Sequence, residues 1–190
     1  FPDHELLFQR QNNNSQPAEI HNRPREREFT ALSRTHKNWR GIVMSDLHRN
    51  GLLDNSYWSY RTDVTIDQDT NPINFKMFPG LQDYTETFLA GTPYSCDALS
   101  ADQQNNHKLS NLEHYDNAYC NIVLETFIDI ENSGGTFLSE KTFKPIRAGQ
   151  LFVLIASPGA IQHLRDLGFD TFDDIIDQAI IDYLRRNYGT

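Results

Sequence analysis

Only two cysteines occur in 190 residues, Cys96 and Cys120, and neither has a Cys-x-x-Cys spacing or a histidine-rich neighbourhood. A disulfide framework and a zinc site are therefore not what organises the chain, and a reducing, cytoplasmic setting is expected. No apolar run approaches the roughly 20 residues that cross a bilayer. The N-terminus also lacks a charged-then-apolar secretion signal. Missing too is a Gly-x-Gly-x-x-Gly after the first apolar segment, where Ser33-Arg34-Thr35 stands instead. That disfavours a nucleotide-dependent enzyme of the dehydrogenase type, whose backbone must approach a pyrophosphate closely. Positive charge is scarce: 17 Lys and Arg face 26 Asp and Glu, for a formal net charge of −9. Nucleic acid and anionic membrane surfaces thus find no general footing.

What positive charge there is lies together. Residues 23–49 hold seven Lys or Arg against three Asp or Glu, a local +4 that leaves −13 on the rest of the chain. Any anion site should draw on that segment. The length suits one domain with a real core and is too short for two Rossmann-like domains. Residues 1–28 are polar and rich in Asn, Gln and Arg, and read as an arm or linker ahead of a domain spanning 29–190. Because the chain begins at Phe1 rather than Met, a longer parent chain is expected.

From Phe29 the pattern alternates. FTALS reads as a strand, residues 39–50 as a helix stopped by Gly51, and YWSY at 57–60 as a second strand. The region 61–111 is punctuated and gives no firm assignment. Residues 119–130 (YCNIVLETFIDI) read as a long buried strand, and 151–156 (LFVLIA) as a parallel strand covered on both faces. Between them Ser139 can cap a helix. Ser157-Pro158-Gly159 opens another helix closed by Gly168, and residues 172–188 suggest a last amphipathic one. Such alternation predicts an α/β fold, a Rossmann-like parallel sheet flanked by helices.

The segment with most chemistry is LSEKTFKPIRAGQ, residues 138–150, placed where a loop after a buried strand enters a helix. Free N–H groups at a helix start attract phosphate, Lys141 can add a charge-assisted contact, and Glu140 can accept from ribose hydroxyls. The plainer reading is that Ser139 and Glu140 are good helix-start residues and Lys141 a solvated charge. After the first strand, Arg34 is placed to fork two phosphate oxygens, with Lys37 and Arg40 within the next turn and His36 near enough to assist. A basic turn that merely separates strand from helix is the alternative. Glu125 lies toward the end of its strand, where a side chain can point to the ligand crevice or bond structurally to backbone.

These two strings, SEKTFKPIRAGQLFVLIASPGAIQHLRDLGFDTFDDIID and FTALSRTHKNWRGIVMSDLHRNGLLDNSYWSYR, resemble the donor-binding domain of fucosyltransferase-like and related viral or bacterial surface-glycan transferases. The resemblance implies the C-terminal half of a two-domain, GT-B-type glycosyltransferase. It maps Glu140 to the ribose-binding acid, Lys141 to the donor-phosphate lysine and Arg34 to the pyrophosphate arginine. Lys37, Arg40, Glu125 and Ser139 complete the expected donor site. A nucleoside-diphosphate sugar is the implied donor substrate and a glycan hydroxyl the acceptor, with no cofactor. The general base of such enzymes comes from the other, N-terminal domain, and no catalytic residue is assigned in this chain. The rival expectation is a non-catalytic nucleotide-sugar-binding or structural module of a larger viral or bacterial protein. The chain departs from the pattern in lacking a Tyr-Asp after its acidic helix and in carrying Arg147.

Other candidates are weaker. Asp63, Asp67 and Asp69 invite a metal, but no apolar strand flanks them as a DxD site requires, so a solvated acidic loop is expected. His107 and His114 are read as surface histidines.

Overall fold

The structure, a computed structural model, describes residues 23–63, 80–96, 112–128 and 136–178. Its elements in chain order are β1 (Arg27–Ser33), α1 (Asn38–Arg49), β2 (Ser56–Tyr60), α2 (Gln82–Ala90), β3 (Tyr94–Ser95), α3 (Leu112–Asn117), β4 (Ala118–Leu124), α4 (Glu140–Arg147), β5 (Leu151–Ile155) and α5 (Ala160–Asp166). The strands form one sheet in the order β3-β2-β1-β4-β5. β1 runs parallel to both β2 and β4, and β4 parallel to β5, whereas β3 is antiparallel to β2. The α/β class expected from the strand-helix alternation is present, but the sheet is mixed rather than wholly parallel. Its antiparallel strand is two residues long and sits at the edge, where a short strand offers little for another chain to pair with.

Alternation along β4 distributes its side chains to the two faces. Ile122 and Leu124 join Ala31, Met44, Leu53, Tyr60 and Phe88 in one apolar cluster, beneath α1 and α2. Val123 joins Phe143, Phe152, Leu154, Ala160, Ile161 and Leu164 in the other, beneath α4 and α5. The sheet is therefore covered on both faces, and β4 is buried without interruption from Cys120 to Leu124. Ahead of β1, the Arg25 guanidinium donates to the carbonyls of Tyr115, Asp116 and Ala118. This fastens the chain entering the sheet to the start of β4.

Several boundaries differ from expectation for local reasons. β4 stops at Leu124 rather than continuing toward 130, because Glu125 turns its carboxylate inward and takes the Thr126 N–H at 3.0 Å. Residues 129 and 130 lie outside the described residues, as do 179–190. The start of the expected last helix is a turn: Phe172 has φ 56°, and its carbonyl accepts from both Ile175 and Ile176. The Asp170 carboxylate holds the Phe172 N–H at 2.8 Å, stabilising that left-handed residue. Beyond the turn, the Gln178 side chain accepts from Leu154 N at 3.3 Å and donates to Phe152 O at 2.7 Å. Its amide thereby pairs the outer edge of β5 as a further strand would.

Candidate functional site

β1 and β4 are neighbours, yet the chain leaves β1 for β2 on one side and leaves β4 for β5 on the other. Connections that depart in opposite directions leave a crevice beyond the strand ends, the place where open α/β sheets take ligands. All seven residues singled out from the sequence lie on the segments that border it. Arg34, Lys37 and Arg40 follow β1; Glu125, Ser139, Glu140 and Lys141 follow β4.

Glu125 is fully buried. One carboxylate oxygen accepts from Ser139 N at 2.8 Å and from Thr142 Oγ1 at 2.5 Å; the other accepts from Ser139 Oγ at 2.7 Å and Thr126 N at 3.0 Å. A buried carboxylate so completely supplied with donors costs little to desolvate and orients everything that donates to it. Ser139, at the N-cap of α4 with φ −110° and ψ −178°, also accepts from Lys141 N. Glu125 thus fixes the loop's return into α4, and its carboxylate faces protein on every side.

Arg40 is buried as well. Its Nε and Nη2 both donate to the Glu125 carbonyl, at 3.2 and 2.6 Å, while Nη1 donates to Thr35 O and Thr35 Oγ1 at 3.3 and 2.8 Å. Burial lowers its pKa from the ordinary arginine value, and the charges of Glu125, Tyr60 and Glu140 oppose that. The guanidinium ties the turn after β1 to the end of β4 instead of standing open in a basic turn. His36 Nδ1 pairs with the Tyr60 hydroxyl at 2.8 Å, holding the same turn from the other side.

Less buried cations line the opening. The Lys141 ammonium donates to Thr126 Oγ1 and Ser139 Oγ, each at 3.2 Å, and pairs with Glu140 at 3.3 Å. Arg34 reaches this group from the end of β1, close enough for its charge to act on both Lys144 and Tyr115. Lys37 sits 4.9 Å above the ring of Phe127, which meets Phe137 edge-on at 5.2 Å. The mouth is therefore positive and partly aromatic.

Lys144, Tyr115, Thr126 and Thr142 belong to this surrounding without having been chosen from the sequence. The signal for Lys144 was present, since residues three apart on a helix share a face and Lys141 was already placed there. Thr142 matters through Glu125, and Thr126 through both Glu125 and Lys141, and no spacing shows that. His114 proves buried, not superficial, stacked on Tyr57 at 4.4 Å between ring centroids. Asp63 is exposed and pairs with Arg61 at 2.5 Å, while Asp67, Asp69 and His107 lie outside the described residues. Among the described residues no three His, Cys, Asp or Glu side chains gather as a metal site would need. Among those residues, too, no helix is long and apolar enough to cross a membrane. Both cysteines are free, and burial pushes the Cys120 thiol up to about 11, which disarms it as a nucleophile.

Comparison of the chain with models of protein families, with curated proteins and with solved structures gives no match.

Proposed function

We propose that the crevice binds the diphosphate of a nucleoside-diphosphate sugar and that the chain is the donor-binding half of a glycosyltransferase of the GT-B type. The observation that carries this reading is that the charges of Arg34, from the end of β1, and of Lys141, at the first turn of α4, both act on Lys144 beside a topological switch point. Fixed cations at the positive end of a helix suit a departing diphosphate, because they oppose charge that grows as the sugar leaves. Glu140, paired with Lys141, is the group for ribose hydroxyls, and the Lys37–Phe127–Phe137 edge offers rings toward a base.

Glu125 is too enclosed to serve as a general base and Glu140 is engaged by a lysine, so the acceptor's base is assigned to another part of the enzyme. The glycan acceptor is placed there too. Calorimetric titration with GDP- and UDP-sugars tests the reading. Binding that weakens about tenfold or more in Arg34→Ala and in Lys141→Ala is expected, the scale of one lost charge-assisted contact. Binding indifferent to both substitutions would contradict it.

A further inference from the structure

The hydroxyl protons around Lys141 can be placed one by one, because an ammonium only donates. Its three N–H groups meet three oxygens: Thr126 Oγ1 and Ser139 Oγ, each at 3.2 Å, and Glu140 Oε1 at 3.3 Å. Both hydroxyl oxygens therefore accept from Lys141, and each has one proton to give elsewhere. Ser139 gives its proton to Glu125 at 2.7 Å, and Thr142 gives its own to the other oxygen of that carboxylate. Thr126 differs. Its backbone N–H is held by Glu125 at 3.0 Å, but its hydroxyl proton meets no acceptor among the described residues.

Thr126 is half-buried and stands just beyond the end of β4, at the switch point. Because the Lys141 ammonium takes one side of Thr126 Oγ1, the O–H points away from it. An acceptor about 2.7 Å beyond that oxygen lies close enough to feel the Lys141 charge, which favours an anion over a neutral group. Lys141 has no N–H left over, so Thr126 can meet a phosphate oxygen while every one of these contacts stays intact. We propose that Thr126 is a further phosphate-contacting residue, its O–H donating to the diphosphate while the Lys141 charge acts from behind it. This rests on the donor-site reading and adds to it a neutral hydroxyl donor.

Calorimetric titration of the whole chain with inorganic pyrophosphate, GDP and UDP tests it. T126V keeps the shape and loses the hydroxyl, and should bind all three about tenfold more weakly. T126A should do the same. T126S, which restores the hydroxyl, should stay within about threefold of the wild type, as a role in packing the methyl group would not allow. A mere prop for Lys141 is told apart in the K141M background, which has no ammonium to support: adding T126V there should still weaken GDP and UDP binding about threefold or more. T126V binding as well as the wild type, T126S binding as weakly as T126V, or a T126V effect that vanishes beside K141M overturns this inference and leaves the donor site standing. No binding of any of the three ligands to the wild type overturns both.

Discussion

The loop after β4 carries its own fastening, whereas the turn after β1 is fastened to its neighbour. On the β4 side a buried anion, Glu125, gathers donors from Thr126, Ser139 and Thr142 of its own connection. On the β1 side a buried cation, Arg40, spends its donors on Thr35 and on the Glu125 carbonyl across the crevice. Each arm thus sinks one charge into its framework and leaves cations of the same segment at the mouth: Lys141 and Lys144 on one side, Arg34 on the other. The lesson is a division of labour between charges that look alike in the sequence. A fully buried charge sets shape, and a half-buried one stays within reach of solvent at the mouth.

Substitutions can break that comparison, and Glu125→Gln should do so most severely. The amide replaces one acceptor oxygen by a donor facing other donors, at a cost of about 2–4 kcal/mol by urea unfolding. Arg40→Met keeps much of the stem but orphans the Glu125 carbonyl and Thr35, for about 2–3 kcal/mol. Because both act on Glu125, the double variant should lose less than the two losses added; strict additivity would mean the arms are independent. Ser139→Ala removes the cap of α4 and one donor to Glu125, with an expected loss of about 1–2 kcal/mol. Arg34→Ala should cost less stability than any of these framework changes while weakening nucleotide binding about tenfold by calorimetric titration.

A pH effect separates the two kinds of charge further. The folded chain holds the Lys144 proton less tightly than the unfolded chain does, with a pKa of about 8 against 10.5. Between those values the unfolded state binds more protons, so this group's contribution to stability is unfavourable below about pH 8 and is relieved as pH rises. Unfolding measured at pH 7 and pH 9 should therefore show a smaller gain in K144M than in the wild type.

Much of the sheet was legible because its strands announce themselves as apolar runs, LFVLI and the core of YCNIVL, although LFVLI fully buries only Phe152 and Leu154. The two segments bordering the crevice were legible for the same reason, since strand ends locate the turns that follow. What the sequence did not reveal is which charge goes inside. Arg34 and Arg40 both look like members of one basic turn, and only the geometry of α1 swings the second under Trp39, 5.4 Å from its ring, toward the β4 backbone. Likewise the antiparallel edge and the turn at Phe172 depend on partners distant in the chain, Trp58 stacking on Tyr94 at 4.0 Å and Gln178 on β5. A period-3.6 pattern over 172–188 could not show that its first residue would adopt a left-handed backbone.

The most direct test of the switch-point site is amide hydrogen exchange of the whole chain with and without saturating GDP or UDP. Slower exchange confined to residues 34–37, 125–128 and 139–144 is the expected result, since those amides border the crevice from both arms. Protection elsewhere, on α2 or α5, or an exchange pattern unchanged by either nucleotide, would contradict the account.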